Sequence, residues 1–548
     1  MTIFLALFIS FVLSNQVLAS EDDYVKIGLK SPLKSVFSVN LSSEGFRVGK
    51  WKDGYNALFN IDESRLTVRI DGYYINIFGN YTKADDVSAA TCGPFHIRTN
   101  KAFTAYDEAS YEVKKLRSLN IDAFVYYNQD FFEIWIGQFI SERKAMEEAA
   151  EYMDYLNNLT DIALDSKDRI MILNENNEIV LMFDKNQDIH LSSLSTQYKD
   201  LVKVEGASYR DFITFSRNEN ELVVINNVSI QHYLYGVVPK EMPPSWPLEA
   251  LKAQAIAAKN YALLYKNKHS NEGYELCDTQ HCQVYGGYNS ENIMTNKAVD
   301  ETSGKILTYN GKLVDAYYHS SSGGFTENSE NVWSNSFPYL SGVKDDFSLG
   351  SPYDTWQFVI SEEEIRNKLF ENGLDVGYIT EVEILSTSPS GRVQELMVKG
   401  TMGTQILAKE KTRQIFGTSN IKSTLFKVKF YGEGSNISTR DIYIYNFSNG
   451  DIIKKPIAEA AVITSDGLSV LDSIFLSNGI TISDGSSTYE IYNELDNNSI
   501  DSVGKYVFIG KGWGHGVGMS QWGAKKMAEL GYDYVQILEH YYTGAIVE

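Results

Sequence analysis

The sequence predicts an α+β chain that is mixed and β-rich, with a few helices. Three observations carry this. Runs such as FRVGKW and LTVRIDGYYINIFGNY alternate apolar and polar residues, the period of a half-buried strand. A smaller number of stretches switch to helical spacing, the clearest opening near Pro247. Between residues 91 and 174 the elements follow one another as strand, helix, strand, strand, helix, strand. The length of 548 residues gives a prior of two to four domains, and 43% hydrophobic with 22% charged residues is ordinary globular material. A formal net charge of −22 argues against a nucleic-acid partner, whose phosphates require a basic face, and disfavours anionic membranes.

In chain order, Ile3 to Leu13 form a short apolar run, and Val17-Leu18-Ala19 before Ser20 has the small-residue form of a cleavage site. Residues 1–19 are therefore expected to be a signal peptide. The absence of Lys or Arg in its first residues keeps an uncleaved anchor as the alternative. Either way the chain is expected to be exported, to the cell wall or to the outer face of the membrane. Residues 20–90 read as a β-rich segment. In 91–174 the expected elements are a strand at Pro94–Ile97, a helix at Tyr106–Leu119, strands at Asp122–Tyr127 and Phe131–Ile136, a helix at Ser141–Tyr155 and a last strand at Arg169–Leu173, the ferredoxin-like split pattern. Residues 175–548 form the third region. It has strands up to Tyr233, a helix at Ser361–Asn372, a polar elaboration at 432–497, and a closing helix, glycine turn and helix in AKKMAELGYDYVQILEHYY.

The chemistry concentrates between Gly236 and Gly287. Glu241 stands between Pro239 and Pro243-Pro244, which predicts an extended, stiff loop outside the following helix and makes it a candidate general acid. That helix carries Leu248, Leu251, Ala255, Ala258 and Ala262 as a packing stripe, with Lys252 and Lys259 on another face. Two cations there would stand near Glu241 or bind a polar substrate; otherwise they are a solvated face. Cys277, His281 and Cys282, with His269 upstream, offer four ligands for a tetrahedral zinc ion, while export favours a Cys277–Cys282 disulfide and free thiols are the third option. Cys92 is left over in every case. His319-Ser320-Ser321-Ser322 lacks the G-x-S-x-G elbow and a placed acid partner, so it reads as a polar loop lining a cleft, with Tyr317, Tyr318 and Trp333 able to stack on sugar faces. In GWGHGVGMSQWG, glycines at alternate places allow close backbone approach, and His515 and Gln521 are candidates to hydrogen-bond a sugar or orient Glu241.

The run VVPKEMPPSWPLEALKAQAIAAKNYAL, followed by CDTQHCQVYGG, DAYYHSSSGGFTENSENVW, PYLSGV and GKGWGHGVGMSQWGAKKMAELGYDYVQILEHYYTG, resembles the stage II sporulation protein D and amidase-enhancer family of bacterial cell-wall proteins. The resemblance begins near Tyr209 and covers more than half the chain. It implies a peptidoglycan lytic transglycosylase with Glu241 as its single acid and base, with peptide-stripped glycan strands as the expected substrate. The other reading it offers is a wall-binding enhancer of an amidase without catalysis of its own. Some clostridial members resemble the chain through the HC pair and bind zinc, which implies a structural metal held by His269, Cys277, His281 and Cys282. GPFHI and FFEIWIGQF give 91–174 a resemblance to a sporulation-related repeat, a module that binds glycan. One departure stands out: Ala258-Lys259-Asn260-Tyr261 replaces the family's Ala-Arg-Thr-Tyr, and Lys lacks the planar fork of Arg.

Overall fold

The computed structural model describes residues 24–548 except 31–32, 34–35, 52–53, 78–79, 153–159, 196–200, 334, 432–440, 446–451, 457–460, 465–466, 471–479, 484–487 and 492–504. The expected signal peptide lies outside the described residues. So does most of the 432–497 elaboration, of which three two-stranded hairpins are described. Two compact units divide the chain: residues 1–318 with 524–548, and residues 319–523.

In the first unit the alternating segments pair into two large sheets. A seven-stranded sheet runs Leu276–Cys277, Tyr24–Gly28, Glu221–Ser229, Phe212–Asn218, Ile189–Ser193, Phe46–Trp51, Tyr55–Ile61. Its pairing is long-range: Tyr24 lies opposite Ser229, and on its other side Gly28 lies parallel to Cys277. A ten-stranded sheet contains Thr160–Ala163, Phe95–Phe103, Phe131–Phe139 and Ala123–Asn128 in that spatial order, all antiparallel, and continues through Ile179–Asp184, Arg169–Leu173 and Arg65–Ile70. The expected closing strand is thereby corrected. Arg169–Leu173 is a strand, but it pairs with Arg65–Ile70 and Ile179–Asp184, and the strand beside Phe95–Phe103 is Thr160–Ala163. Every residue of Arg169–Leu173 is buried, as expected of a central strand, whereas a strand closing the split pattern would lie at an edge. Both sheets cross residues 90 and 174, so the described compact units do not break there.

Helices of this unit include α1 (Tyr106–Ser118), α2 (Glu142–Glu151), α3 (Ile230–Glu241), α4 (Leu248–Leu264) and α5 (Ile293–Glu301). α3 starts at Ser229, whose hydroxyl accepts from the His232 N–H and satisfies one of the free donors of a helix start. α4 carries Leu251, Ala255, Ala258 and Ala262 fully inside, as the stripe predicts. Its neighbours on other faces, Ala250, Ala253, Ile256 and Ala257, are buried too, so α4 is an internal helix surrounded by protein.

A buried polar knot ties the N-terminal strands together. Asp71 has no exposed surface; its carboxylate meets His96 Nε2 at 3.1 Å and Arg169 Nε at 3.3 Å. Burial works to raise the Asp71 pKa, but His96, then Arg169 and Arg217, more than offset it and hold the carboxyl below its ordinary range. A lowered carboxyl contributes stability above its ordinary pKa and loses it as pH falls through the folded value. Asp71→Asn would strand buried cations without a counter-charge. We expect a loss of about 3–5 kcal/mol at pH 7, measured by denaturant unfolding, with the gap from wild type closing as pH drops toward strong acid.

The second unit is built on two smaller sheets. Trp356–Ser361, Lys505–Gly510 and Phe426–Tyr431 form one, and the meander Ile379–Thr387, Val393–Gly400, Gly403–Ala408 the other, around a core that includes Phe416, Leu396 and Phe508. The helix expected at Ser361–Asn372 is Glu362–Glu371, started by a capping box between Ser361 and Glu364.

Candidate functional site

Glu241 is the last residue of α3, with Met242 extended behind it. The expectation of a loop position is thus corrected, although α4 does begin only at Leu248, beyond the proline pair. Pro239 sits in the last turn of α3, where a missing N–H costs little once neighbouring carbonyls find other partners. The Gly236 carbonyl accepts from the Gly286 N–H and the Ser290 hydroxyl, both at 3.1 Å. A loop from elsewhere in the chain therefore supports the proline-bearing turn.

The surroundings of the Glu241 carboxyl are mostly protein, while the residue keeps part of its surface in solvent. Burial pushes its pKa up to about 7; the Val284 N–H and the Tyr318 hydroxyl, both donating to it, work in the opposite direction and are outweighed. Met242, the next residue, is fully buried. A carboxyl poised near neutrality and still reachable can hold a proton at one step and take one at the next.

Next to this acid lies a group of four side chains that could hold a metal ion. His269, Cys277, His281 and Cys282 each offer one ligand atom, and all four atoms lie within 4.8 Å of one another. His269 Nε2 is 3.2 Å from His281 Nδ1 and 3.4 Å from Cys282 Sγ; His281 Nδ1 is 3.8 Å from each sulfur. Both cysteines are free thiols, as is buried Cys92. The other nitrogen of His269 lies 2.6 Å from Glu272, a carboxylate held in turn by Lys30 and Tyr274 at 2.6 and 2.7 Å. This carboxylate fixes which His269 nitrogen faces the group. Strand Tyr24–Gly28 locks the same loop from the other side, since the Lys30 N–H donates to Asp278 and Ile27 pairs with Leu276.

The loop that supplies the ligands also supplies the acid's partners. Cys282 is followed by Gln283, which donates to the Tyr318 hydroxyl at 3.0 Å, and by Val284, whose N–H reaches Glu241. Sequence reading assigns Gln283 nothing, because its partners lie 50 and 35 residues away and a lone glutamine carries no motif.

The remaining predicted residues separate. Lys252 is a strut, bonded to Glu249 at 2.8 Å and Glu301 at 2.7 Å, and it lies over the Tyr534 ring, so it joins α4, α5 and the C-terminal helix. Its ammonium group is thus shared between two carboxylates. Lys259 is partly exposed on α4, and the following Asn260 is fully buried, bonding the backbone of Leu307 and Val314 through both ends of its amide. A threonine hydroxyl could not span both, which explains the asparagine in this chain. Tyr317 is engaged through its hydroxyl with Tyr265, which also bonds Asp315.

His319, Ser320, His515 and Gln521 belong to the second unit. His319 is buried with Nδ1 3.1 Å from the Val517 carbonyl, and burial holds it neutral by pushing its pKa well down. Ser320 accepts the Trp522 N–H through its carbonyl, and Gln521 is nearly buried. Ser322 is buried between Asp345 and Ser348, both at 2.7 Å, with no histidine bonded to it among the described residues, which makes it a loop brace. His515 is partly exposed, 5.0 Å from Trp333 and 5.6 Å from His319 between ring centroids. Gly516, with φ +86°, shows why this block needs glycine: an added Cβ would come 2.4 Å from the Arg392 guanidinium.

Residues 218–309, which hold Glu241 and the four possible ligands, match the family model described as stage II sporulation protein. Through this region the chain is similar to that family. Residues 353–448 match a domain of unknown function. Among curated relatives, the chain is similar to the amidase enhancer of Bacillus subtilis, 34% identical over 57% of this chain and 39% of that protein. It is also similar to an uncharacterized protein of Brachyspira hyodysenteriae, 27% identical over 67% of this chain and 82% of the relative. Stage II sporulation protein D of Bacillus amyloliquefaciens is 29% identical over 58% of this chain and 74% of the relative. The match thus spans well under half the length of the amidase enhancer.

Proposed function

We propose that this chain is an exported lytic transglycosylase of bacterial peptidoglycan, with Glu241 as its single acid and base. The observation that carries this reading is the reachable Glu241 carboxyl with a pKa near 7. At that pKa both protonation states are accessible near neutral pH. Neutral Glu241 gives its proton to the bridging oxygen as the bond from C1 of N-acetylmuramic acid to N-acetylglucosamine breaks. The 6-hydroxyl of the same muramic residue then bonds to C1, its proton returns to the carboxylate, and a 1,6-anhydro end results. A hydrolase would need a second carboxyl to activate water.

Zinc is the metal the ligand set favours. Bonds of about 2.0–2.3 Å in a tetrahedron place ligand atoms about 3.3–3.8 Å apart, close to the four separations of 3.2–3.8 Å that join His269, His281 and the two sulfurs. His269, Cys277, His281 and Cys282 would fill all four positions, so the ion would shape the site and would not bind water. We also propose that residues 91–174 bind glycan as a sporulation-related repeat, the strand order in the ten-stranded sheet supporting a ferredoxin-like arrangement once Thr160–Ala163 is taken as its fourth strand. His319, Ser320, His515, Gln521 and Lys259 are proposed as sugar contacts.

A second reading is favoured by the name of the Bacillus subtilis relative and by Lys259: a wall-binding protein that enhances an amidase without cleaving glycan. Mass spectrometry of peptide-stripped peptidoglycan treated with wild type and with Glu241→Ala separates the two. Anhydro-muramic ends made by wild type alone are expected. New reducing ends would mean hydrolysis, and no product with strand binding retained would favour the enhancer.

A further inference from the structure

The bonds behind Glu241 have a direction. Tyr233, fully buried on α3, donates its hydroxyl proton to Gln283 Oε1 at 3.1 Å. With its oxygen occupied, the Gln283 amide presents Nε2 to Tyr318 and donates to that hydroxyl at 3.0 Å. A phenol has one proton to give; the Tyr318 oxygen accepts from Gln283, so its proton goes to Glu241, to which it is bonded. The Val284 N–H beside it can only donate. From this side the carboxyl is met by donors, and the proton of the neutral acid is not drawn toward Tyr318.

We propose that Gln283 is a positioning residue: acting through Tyr318, it fixes the hydrogen-bond polarity at Glu241 so that the acid's own proton faces away from the protein's relay. This rests on the reading of Glu241 as the acid. Gln283 is 2% exposed and reaches Glu241 only through the Tyr318 hydroxyl, so it acts as a positioning residue and not as a catalytic one. Its amide is required because only an amide offers an acceptor at one end and a donor at the other. Reversing the amide would reverse the relay and make Tyr318 an acceptor from Glu241.

The test reads the Glu241 titration without turnover. The gap in thermal midpoint between wild type and Glu241→Gln opens at the unfolded-state pKa, and the pH at which it stops growing reports the folded-state Glu241 pKa; the same comparison is then made in a Gln283→Leu background, with equal metal content verified in every protein. Tyr233 and Tyr318, the titratable neighbours whose fields reach Glu241, are pushed far above neutrality by burial and do not titrate in this window. Without Gln283, Tyr318 is free to turn and accept from the neutral acid. The pH at which the gap levels off should therefore move up by about one unit, with its onset unchanged, and the pH profile of product formation should move with it. Tyr318→Phe should raise the pKa to a similar extent, and adding Gln283→Leu to it should change nothing further. A downward shift, no shift, or an equal effect of Gln283→Leu with and without the Tyr318 hydroxyl overturns the proposal. Should Gln283→Leu not fold, Tyr318→Phe alone decides, since an unchanged Glu241 pKa there removes the relay's output. A positive result with no anhydro product would leave the relay standing and dismiss the transglycosylase.

Discussion

Glu241→Gln should abolish anhydro-end formation and, above neutral pH, make the protein more stable. The two effects have one origin. Burial raises the folded-state pKa from an ordinary 4.5 to about 7, so the folded protein keeps a proton that the unfolded chain has released. For a raised carboxyl the stability contribution is full below pH 4.5 and is lost as pH rises to the folded value near 7. The total comes to about 3 kcal/mol, at about 1.36 kcal/mol per pKa unit. Glutamine cannot ionise and escapes that loss. At pH 5 the two proteins should unfold within a degree or so of each other; at pH 8.5 the variant's first unit should melt about 4 °C higher, given the entropy of unfolding of a unit of this size. Activity should fall about 10²–10⁴-fold, the usual scale for a lost general acid. Differential scanning calorimetry at the two pH values, beside product analysis, checks both. A variant that is inactive yet unchanged in stability at pH 8.5 would mean that Glu241 is ionised and solvated in the folded protein, and the acid role would fall with it.

The same residue shows how far the sequence could be read. Its candidacy was accessible: the motif around the prolines singles out Glu241 as a candidate general acid, and the carboxyl's raised pKa suits that role. Its backbone was not. Local proline rules favour an extended loop, but the Gly286 and Ser290 contacts to the Gly236 carbonyl come from a distant segment and carry the helix through Pro239 to its end. Helices with long periodic faces, such as α4, were legible because their period is local, whereas the pairing of Tyr24–Gly28 with Glu221–Ser229 spans some two hundred residues and leaves no local trace. For the site, adjacent ligands Cys277, His281 and Cys282 declare themselves by spacing, and Lys252 does not: a lysine face looks the same whether it meets substrate or, as here, Glu249 and Glu301. Gln283 was invisible because polarity in a hydrogen-bond chain exists only once three distant side chains meet.

Metal removal should cost both stability and activity, with the second loss running through Val284. One zinc ion per chain is expected by elemental analysis. With free zinc at about a thousand times its Kd, binding contributes about 4 kcal/mol to the folded state, a fall of about 5–6 °C in the first unit's midpoint when a chelator withdraws it. His269→Ala and Cys282→Ser should behave as the chelated wild type does and should not respond further to chelator. An ion held by the tetrad would touch no reacting atom, yet Cys282 is two residues from the N–H that meets Glu241 and one from the amide that sets Tyr318. Releasing the ligand loop frees both. A displacement of about 1 Å at a positioned group costs about 10²-fold in rate, so chelation should lower product formation by that order, and added zinc should restore it. Because the tetrad would fill the coordination of a zinc ion, the metal-dependent loss should show no change in product chemistry: the fewer ends formed should still be anhydro ends. A Cys277–Cys282 disulfide in metal-free, fully active protein would overturn this account, and reducing ends appearing with the metal would mean that the ion keeps a position open for water.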